Sequence, residues 1–318
     1  MKITIFAGGV GGSKLVEGFS HAVKPDDITV IGNMGDDVDL HGLRICPDLD
    51  IVTYTLAGIV NPGTGWGMDG DTFHVLDALE RLGQDSWFRL GDRDLATHIF
   101  RTSLIRNGAR PTDVTRRIAD MLGVHARIIP PTDSSVRTEI RTPGGWKSFQ
   151  EYFVRDRCRD DVLDVEYNGA SSARATPEAE EAIRDADLIV FAPSNPIASI
   201  GPILSIAGIR DKLKKTRAYK VAVSPLVGGR SLKGPSDRMM KALGFPATAI
   251  GVAQYYVGII DVLVIDEEDE TLAGAIRETG CDAHVLPTIM ASRDDKIRLA
   301  EEILKLYDVP LERGEPVP

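Results

Sequence analysis

Glycine dominates the segment that follows the first apolar stretch of the chain. Residues 8–12 contain four glycines in five positions, between an apolar run over residues 1–6 and a helical pattern that begins near residue 12. Backbone N–H groups flanked by glycine can approach an oxyanion closely, and the positive end of a following helix stabilises its charge. The segment fits neither a Walker A loop, because Lys14 does not follow a glycine directly, nor a dinucleotide fingerprint, because this lysine replaces the third glycine. We therefore predict that a phosphorylated ligand binds at Gly8, Gly9, Gly11 and Gly12; a tight turn without a ligand is the alternative.

Two adjacent carboxylates follow the second apolar stretch. Asp36 and Asp37 end a run that begins Ile31-Gly-Asn-Met. In a doubly wound sheet the carboxyl ends of neighbouring strands border the ligand crevice, so these carboxylates should face the same opening as the glycines. Acidic side chains beside an anion site repel the ligand unless a cation bridges the two, which indicates Mg²⁺. Capping of a helix is the alternative role for either aspartate.

A third motif, over residues 41–50, leads into a helical run over residues 51–59. Pro47 ends the extended segment, and Asp48 then precedes the periodic residues as a helix N-cap does. Asp50 falls in the first helical turn, where the helix dipole stabilises a carboxylate by roughly 0.3–1 kcal/mol. Such a carboxylate can serve as a metal ligand or as a hydrogen-bond acceptor, and the sequence leaves both roles open.

Two later loops each follow an apolar strand and carry small polar groups. Residues 192–199 include Ser194 and Asn195, and residues 224–235 add two basic side chains near the same opening. Ser, Asn and Gly at strand ends offer hydroxyl, amide and backbone donors without bulk. The alternative is that these proline-rich loops are plain connections.

These candidate residues require a frame of strands that alternate with helices. Apolar runs predict strands near residues 2–6, 27–32, 187–191, 219–223, 261–265 and 282–286. Amphipathic patterns predict helices near residues 12–22, 177–186, 235–243, 269–278 and 293–307. The alternation predicts an α/β fold with a mostly parallel, doubly wound, Rossmann-like sheet. Residues 61–169, helical at first and then rich in short strands, predict an inserted subdomain, with the core formed by residues 1–60 and 170–318.

Composition narrows the class of function. The 318 residues carry a formal net charge of −10, and no basic stripe exists that would bind nucleic acid. Three scattered cysteines are typical of reduced thiols in a cytoplasmic protein, and six histidines show no metal-ligand spacing. The apolar runs are too short to cross a membrane, and we expect no signal peptide. Residues 313–318 are predicted to be loose.

Six motifs, in the same order, resemble those of the 2-phospho-L-lactate transferases, which act in the biosynthesis of the deazaflavin coenzyme F420. They cover residues 8–12, 32–37, 46–50 with 54–56, 87–95, 193–196 and 224–229. The resemblance implies transfer of phospholactate or phosphoenolpyruvate from a guanosine diphosphate-linked donor. The acceptor would be the terminal hydroxyl of the ribityl chain of 7,8-didemethyl-8-hydroxy-5-deazariboflavin (Fo), with GMP released and Mg²⁺ required.

The resemblance also suggests roles for the candidate residues. We assign the glycine segment to the donor diphosphate, because its N–H groups and Mg²⁺ stabilise charge on phosphate oxygens. Asp36 and Asp50 are assigned to the metal or to the acceptor hydroxyl, and Asp50 is also a candidate general base. The resemblance implies that Asp50 and Arg89 contact the deazaflavin, although spacing alone favours a surface ion pair for Arg89. Ser194 and Asn195 are assigned to the guanine nucleotide.

Two other classes of protein are alternatives. One is a nucleotide-sugar-binding regulatory protein of the same superfamily, which would share the glycine segment and lack the segments 46–50 and 87–95. The other is a dehydrogenase, against which the missing dinucleotide fingerprint argues. The resemblance further implies a homodimer.

Overall fold

A computed structural model describes residues 1–308, so the predicted loose segment 313–318 lies outside the described part. The strands are β1 Ile3–Ala7, β2 Ile28–Gly32, β3 Val38–Leu40, β4 Leu43–Ile45, β5 Arg127–Ile129, β6 Arg137–Thr142, β7 Gly145–Ser148, β8 Asp164–Asn168, β9 Leu188–Phe191, β10 Tyr219–Val223, β11 Leu226–Val227, β12 Arg230–Ser231, β13 Val262–Ile265 and β14 Asp282–Val285. The helices are α1 Gly9–Ala22, α2 Pro47–Leu56, α3 His74–Arg81, α4 Asp92–Arg106, α5 Pro111–Met121, α6 Pro177–Asp185, α7 Gly201–Ser205, α8 Ile209–Lys215, α9 Ser236–Ala242, α10 Ala249–Tyr255, α11 Ala273–Arg277 and α12 Arg293–Asp308. Short 3₁₀ segments cover Pro25–Asp27 and Glu267–Leu272, and π-helical turns cover Glu151–Arg155 and Pro196–Ile200.

The central sheet has seven strands in the order β14-β13-β10-β9-β1-β2-β5, and every neighbouring pair is parallel. The predicted α/β fold with a doubly wound parallel sheet is confirmed, and the six predicted strands all occur with ends shifted by at most one residue. The chain passes from β1 to β2 on one side and later returns to β9 on the other. Such a switch point opens a crevice at the carboxyl ends of the strands.

The seventh strand comes from within residues 61–169. β5 pairs with β2 at the edge of the central sheet, whereas β6, β7 and β8 form a separate antiparallel sheet in the order β7-β6-β8. The division of the chain into a core and an inserted subdomain stays a prediction.

Buried residues cover both faces of the central sheet because helices pack on both. Ile5 and Phe6 of β1 point to opposite faces and belong to two separate hydrophobic clusters. On the side of Ile5, α1 packs against α2 and α12. This packing fixes the ends of β1, β2 and β9, where the candidate residues lie. Within residues 1–308, no helix combines the length and the apolar character that a membrane span requires.

Candidate functional site

The glycine segment lies at the carboxyl end of β1, beside the switch point, and most of it is helical. α1 begins at Gly9 with Gly8 as its N-cap, three residues before the predicted start near residue 12. The first turn of a helix leaves N–H groups without intrahelical partners and carries partial positive charge. The segment therefore presents a helix N-terminus to the crevice rather than an open loop.

Two of the glycines allow the loop after β9 to touch α1. A Cβ atom at Gly11 would lie 2.5 Å from the carbonyl oxygen of Pro193, and one at Gly12 would lie 2.6 Å from Ser194 Oγ. Both contacts are closer than a side chain permits. Gly11 and Gly12 are therefore needed for packing, whatever ligand binds nearby.

The other two glycines differ in their surroundings. The N–H of Gly8 donates to Ser194 Oγ at 3.0 Å, and this hydroxyl donates back to the carbonyl of Gly8 at 2.8 Å. Gly9 has a φ of +67°, and a Cβ atom there would meet nothing within 4 Å. Of the four predicted glycines, Gly9 is the one that faces open space.

The N-terminus of α1 holds an anionic group of the protein, the Asp48 carboxylate. The N–H of Gly9 donates to Asp48 Oδ1 at 2.9 Å, and Asn33 Nδ2 donates to Asp48 Oδ2 at 2.8 Å. α2 begins at Pro47, so Asp48 lies in the first turn of α2 and not at its N-cap. Burial raises the pKa of Asp48 to about 6, although both hydrogen bonds favour the ionised form. Asp48 therefore links the glycine segment to the residues that follow β2.

Asp36 and Asp37 leave β2 at the same edge of the sheet. Asp36 is 4% exposed, and its Oδ1 has no hydrogen-bond partner within residues 1–308. Burial, and then the negative charge of Asp48, raise the pKa of Asp36 well above its usual range. Burial also raises the pKa of Asp37 to about 7, and its Oδ1 is a second buried oxygen without a partner in the described residues. Clustered, desolvated carboxylates need a cation or protons, and their hard oxygen atoms fit Mg²⁺.

Asp50 lies in a different environment, on the side of α2 that faces α4. Arg101 of α4 donates from Nη1 to Asp50 Oδ2 at 3.0 Å and from Nη2 to Asp50 Oδ1. The two residues are 4% and 3% exposed. Burial lowers the pKa of Arg101, but the Asp50 carboxylate more than compensates and holds this pKa above its usual value. Arg101 therefore stays charged and neutralises Asp50.

The pair belongs to a buried polar network between α2 and α4. His98 Nδ1 lies 3.1 Å from Arg101 Nη1, and His98 Nε2 lies 3.2 Å from Asp94 Oδ1. Asp94 Oδ1 accepts a hydrogen bond from the Tyr54 hydroxyl at 2.7 Å. Ligand atoms of Asp50, Asp94 and His98 lie within 4.8 Å of one another, which makes the three a possible metal-binding group. The Arg101 guanidinium already binds both oxygens of Asp50. The sequence predicted no role for His98 or Arg101, although Asp94, His98 and Arg101 recur on one face of a helix.

Arg89 lies just before α4 and is exposed. Its guanidinium carbon is 4.1 Å from the centroid of the Phe73 ring, and it forms no salt bridge within residues 1–308. Trp87 and Phe88 meet edge to face, with ring centroids 5.7 Å apart. A cation among partly exposed aromatic rings suits a flat heterocycle.

Loops from distant parts of the sequence border the crevice near the start of α1. Lys233 Nζ donates to the carbonyl of Thr64 at 3.2 Å. The next residue, Gly65, lies against Val10 of α1, where a Cβ atom would be 2.9 Å from Val10 Cγ1 and 3.6 Å from Lys233 Nζ. Lys233 therefore brings positive charge close to the first turn of α1. Lys14 instead donates to a carbonyl beyond β14, at 2.7 Å.

The loop after β9 is held by its own polar residues. Asn195 Oδ1 accepts from the N–H groups of Ile197 at 3.0 Å and Ala198 at 3.1 Å, which caps the turn Pro196–Ile200. Ser194 and Asn195 thus fix this loop beside the N-terminus of α1. Their assignment to a guanine nucleotide stays a prediction.

Comparisons with known proteins agree over nearly the whole chain. Residues 3–293 match the family model described as 2-phospho-L-lactate transferase CofD. The chain is 38% identical over 304 residues to a 2-phospho-L-lactate transferase of Methanosarcina barkeri, a match that covers 96% of this chain and 98% of that protein. It is 40% identical over 314 residues to a phosphoenolpyruvate transferase of Streptomyces coelicolor, with 97% and 98% covered. Among solved structures, a UPF0052-family protein of Bacillus halodurans shares the fold with a TM-score of 0.63 at 18% identity, over 95% of this chain and 98% of that one.

Proposed function

Because the chain belongs to the 2-phospho-L-lactate transferase CofD family and is a transferase of that type, we propose that it moves a phosphorylated three-carbon acid from a guanosine diphosphate-linked donor to the terminal hydroxyl of Fo. The acid is phospholactate or phosphoenolpyruvate, since relatives named for each are similar to this chain. The hydroxyl oxygen attacks the phosphorus that carries the acid. The bond from this phosphorus to the bridging oxygen breaks, and GMP leaves with the electron pair. The proton of the hydroxyl passes to a base of the protein.

The observation that carries the proposal is the junction of a helix N-terminus with buried carboxylates. The N–H of Gly9 and the Asn33 amide both bind Asp48, and Asp36 is close enough for the Asp48 charge to raise its pKa. A phosphoryl group needs hydrogen-bond donors on its oxygens and a hydroxyl aligned for attack, and catalysis of its transfer rests mainly on positioning and charge. In the proposed site, the N-terminus of α1 supplies the hydrogen-bond donors, and the aspartates align the attacking hydroxyl.

The buried carboxylates are the part of the site that suits Mg²⁺. We assign Asp36 and Asp48 as its ligands, because Asp36 Oδ1 has no partner in the described residues and Asp48 keeps unused lone pairs on both oxygens. Asp50, which the sequence also placed on the metal, is the weaker choice because both of its oxygens accept from Arg101. When bound, Mg²⁺ supplies charge neutralisation to the carboxylates and to the phosphate oxygens.

Asp37 is the residue best suited to receive the proton of the attacking hydroxyl. A general base must lie within hydrogen-bond reach of the proton that it takes, and Asp37 follows the proposed metal ligand Asp36 directly in the chain. Its Oδ1 has no partner within residues 1–308, whereas the Asp50 carboxylate is neutralised by Arg101. Asp37 therefore replaces Asp50 as the proposed base, and Asp36 stays beside it as a metal ligand.

The two substrates then occupy opposite parts of the crevice. The donor diphosphate lies at the open face of Gly9, with Lys233 nearby and with the Ser194–Asn195 loop beside the nucleotide. The deazaflavin ring lies near Arg89 and its aromatic neighbours. In the part of the crevice that holds the ring, Asp50 keeps α2 against α4 through its ion pair with Arg101.

The test is a donor competition. The protein is incubated with Fo, Mg²⁺ and equal amounts of guanylylated phospholactate and guanylylated phosphoenolpyruvate, and GMP and the two deazaflavin products are quantified. We expect GMP to form in a one-to-one ratio with phosphorylated deazaflavin, and Asp36→Asn to lower turnover by at least 100-fold. Asp85→Asn, which alters an exposed acid, is the matched control and should behave as wild type. Absence of both products from either donor would refute the proposal.

A further inference from the structure

Asn33 follows β2 directly and is completely buried where three elements meet. Its backbone N–H donates to the carbonyl of Ala7 at 3.0 Å, at the end of β1. Its side-chain amide donates from Nδ2 to Asp48 Oδ2 at 2.8 Å and to the carbonyl of Ala198 at 3.3 Å. Asn33 therefore joins the end of the central sheet to α2 and to the loop after β9.

The orientation of the Asn33 amide is fixed by a third partner. The N–H of Gly35 donates to Asn33 Oδ1 at 2.8 Å, and only the oxygen of an amide group can accept this bond. Nδ2 must then face Asp48 and the carbonyl of Ala198, both of which are acceptors. The fold thus presents Asp48 Oδ2 with a hydrogen-bond donor that has no freedom to turn away.

Asp48 and Asp50 both lie in the first turn of α2, but their partners differ in charge. The two residues are 6% and 4% exposed. Asp50 binds the Arg101 guanidinium through both oxygens, so its charge is compensated within the protein. Asp48 accepts from the N–H of Gly9 and from the Asn33 amide, and it forms no salt bridge within residues 1–308. Both donors are neutral groups, so Asp48 is held in place while no basic side chain offsets its negative charge.

The backbone at Gly8 leaves room for the contact between Asp48 and Asn33. A Cβ atom at Gly8 would collide with Asp48 Oδ2 and would lie 3.1 Å from Asn33 Cβ. A side chain at this position would therefore push Asp48 away from the Asn33 amide. The missing side chain at Gly8 and the amide of Asn33 together determine where the Asp48 carboxylate lies.

We propose that Asn33 is a positioning residue for a divalent cation, because it orients the Asp48 carboxylate as a metal ligand without compensating its charge. The inference rests on the proposed function, in which Asp36 and Asp48 hold Mg²⁺. A basic residue in place of Asn33 would compete with the metal for Asp48, as Arg101 does at Asp50. An apolar residue would leave the carboxylate free to rotate. Replacing a residue that orients a metal ligand through a hydrogen bond typically lowers the metal affinity by roughly 10–100-fold.

The experiment measures the Kd for Mg²⁺ by calorimetry on the full chain, in the absence of Fo and of donor. The test variant is Asn33→Ser, because a serine hydroxyl can still accept from the N–H of Gly35, as in an ST-turn, but ends one bond farther from Asp48. We expect it to weaken Mg²⁺ binding by about tenfold or more. Thr176→Val is the matched control, since it removes a buried hydrogen bond at the N-cap of α6. Distant sites act independently, so its Kd should stay within about twofold of wild type.

Both variants should lower Tm, because each removes a buried hydrogen bond, so the Kd and not the stability separates them. An unchanged Kd in Asn33→Ser, or an equal loss in Thr176→Val, would overturn the inference and leave Asn33 with a structural role only. A wild-type protein without measurable Mg²⁺ binding would also overturn it. The transferase proposal is decided separately, by GMP and the deazaflavin products, which do not enter this titration.

Two further variants test the same contact by other routes. Asn33→Thr fills nearly the volume of asparagine and should weaken Mg²⁺ binding as Asn33→Ser does; an unchanged Kd would overturn the inference even if Asn33→Ser does not fold. Gly8→Ala leaves the Asn33 amide in place but puts a methyl group against Asp48 Oδ2, so it should also weaken Mg²⁺ binding. An unchanged Kd in Gly8→Ala would show that the position of Asp48 does not matter to the metal, which likewise overturns the inference.

Discussion

Replacement of Asp50 by alanine should destabilise the protein before it affects any chemistry. Asp50 and Arg101 are 4% and 3% exposed, and the guanidinium donates to both carboxylate oxygens. Without Asp50, the guanidinium stays charged and loses its anionic partner inside the protein. Loss of one partner of a buried ion pair costs about 3–5 kcal/mol. His98 Nδ1, 3.1 Å from Arg101 Nη1, remains beside the guanidinium, so we expect the lower end, about 3 kcal/mol.

Urea unfolding measures this loss directly. Asp50→Ala should shift the midpoint to lower urea with an unchanged m-value, which indicates a change in stability and not in the size of the transition. Asp85→Ala, at an exposed acid, is the control and should change the free energy of unfolding by less than about 0.5 kcal/mol. In Asp50→Ala/Arg101→Met the unpaired charge is gone, so the double variant should be more stable than the sum of the single changes by about 2 kcal/mol.

The same cycle separates a structural role of Asp50 from contact with substrate. If Asp50 acts only by neutralising Arg101, the double variant regains stability and turnover together. If Asp50 also contacts the deazaflavin, stability returns and turnover does not. An Asp50→Ala protein as stable as Asp85→Ala, with additive effects in the cycle, would refute the assignment of Asp50 to a buried ion pair.

Three further predictions concern the metal, the acceptor and the glycines. Burial raises the pKa of Asp37 to about 7 and that of Asp48 to about 6, so between these values and a pH of about 4 the folded protein holds protons that the unfolded chain has released. The free energy of unfolding therefore falls as pH rises from about 4 to 7, by about 3 kcal/mol for Asp48. Mg²⁺ should raise Tm more at pH 8 than at pH 5.5, and equal effects at both values would contradict the proposed metal site. Arg89→Ala should raise the KM for Fo about tenfold and that for the donor less than twofold, as measured by steady-state kinetics; the reverse pattern would move Arg89 to the donor. Gly11→Ala should lower the free energy of unfolding, measured by urea unfolding, by about 1–3 kcal/mol because the added Cβ meets a backbone carbonyl. The control Gly274→Ala, where the added Cβ on α11 meets open space, should be neutral or stabilising by up to about 1 kcal/mol. Equal effects of the two substitutions would show that Gly11 is not needed for packing.

The central sheet could be predicted from the sequence because its strands are short, apolar and separated by amphipathic helices. β5 is the exception within the central sheet. It has three residues, Arg127–Ile129, at the edge of the sheet, and its pairing with β2 depends on contacts almost 100 residues away in sequence. The sequence indicates a short strand at residues 127–129, but a run this short carries no signal of its pairing partner, so only the assembled sheet shows where it belongs.

The candidate site likewise contains residues that the sequence indicates and partners of these residues that it does not. Asp36 and the glycines can be proposed from the sequence because they follow strands, and in this fold strand ends meet at one edge. The partners of these residues could not be found in this way. Gly11 and Gly12 meet a loop about 180 residues later, and Asp50 meets Arg101 across 51 residues. Local motifs indicate candidate residues at one edge of the sheet, whereas the side-chain partners of these residues, which differ from one aspartate to the next, are set by packing between distant elements.

Asp48 changes the conditions under which the glycine segment can bind a phosphate. A helix N-terminus with open N–H groups would bind a phosphate on its own, but here the N–H of Gly9 already donates to Asp48 Oδ1. A diphosphate that arrives at Gly9 therefore meets a carboxylate, and this repulsion disappears only if Asp48 is protonated or bound to a cation. In a Walker A loop a lysine supplies much of the positive charge, whereas Lys14 of this chain donates to a carbonyl beyond β14. If Mg²⁺ binds at Asp36 and Asp48 as proposed, it would supply the positive charge that the lysine supplies in a Walker A loop. The affinity for the donor would then depend on the metal, because Asp48 accepts from the N–H of Gly9 at the start of α1.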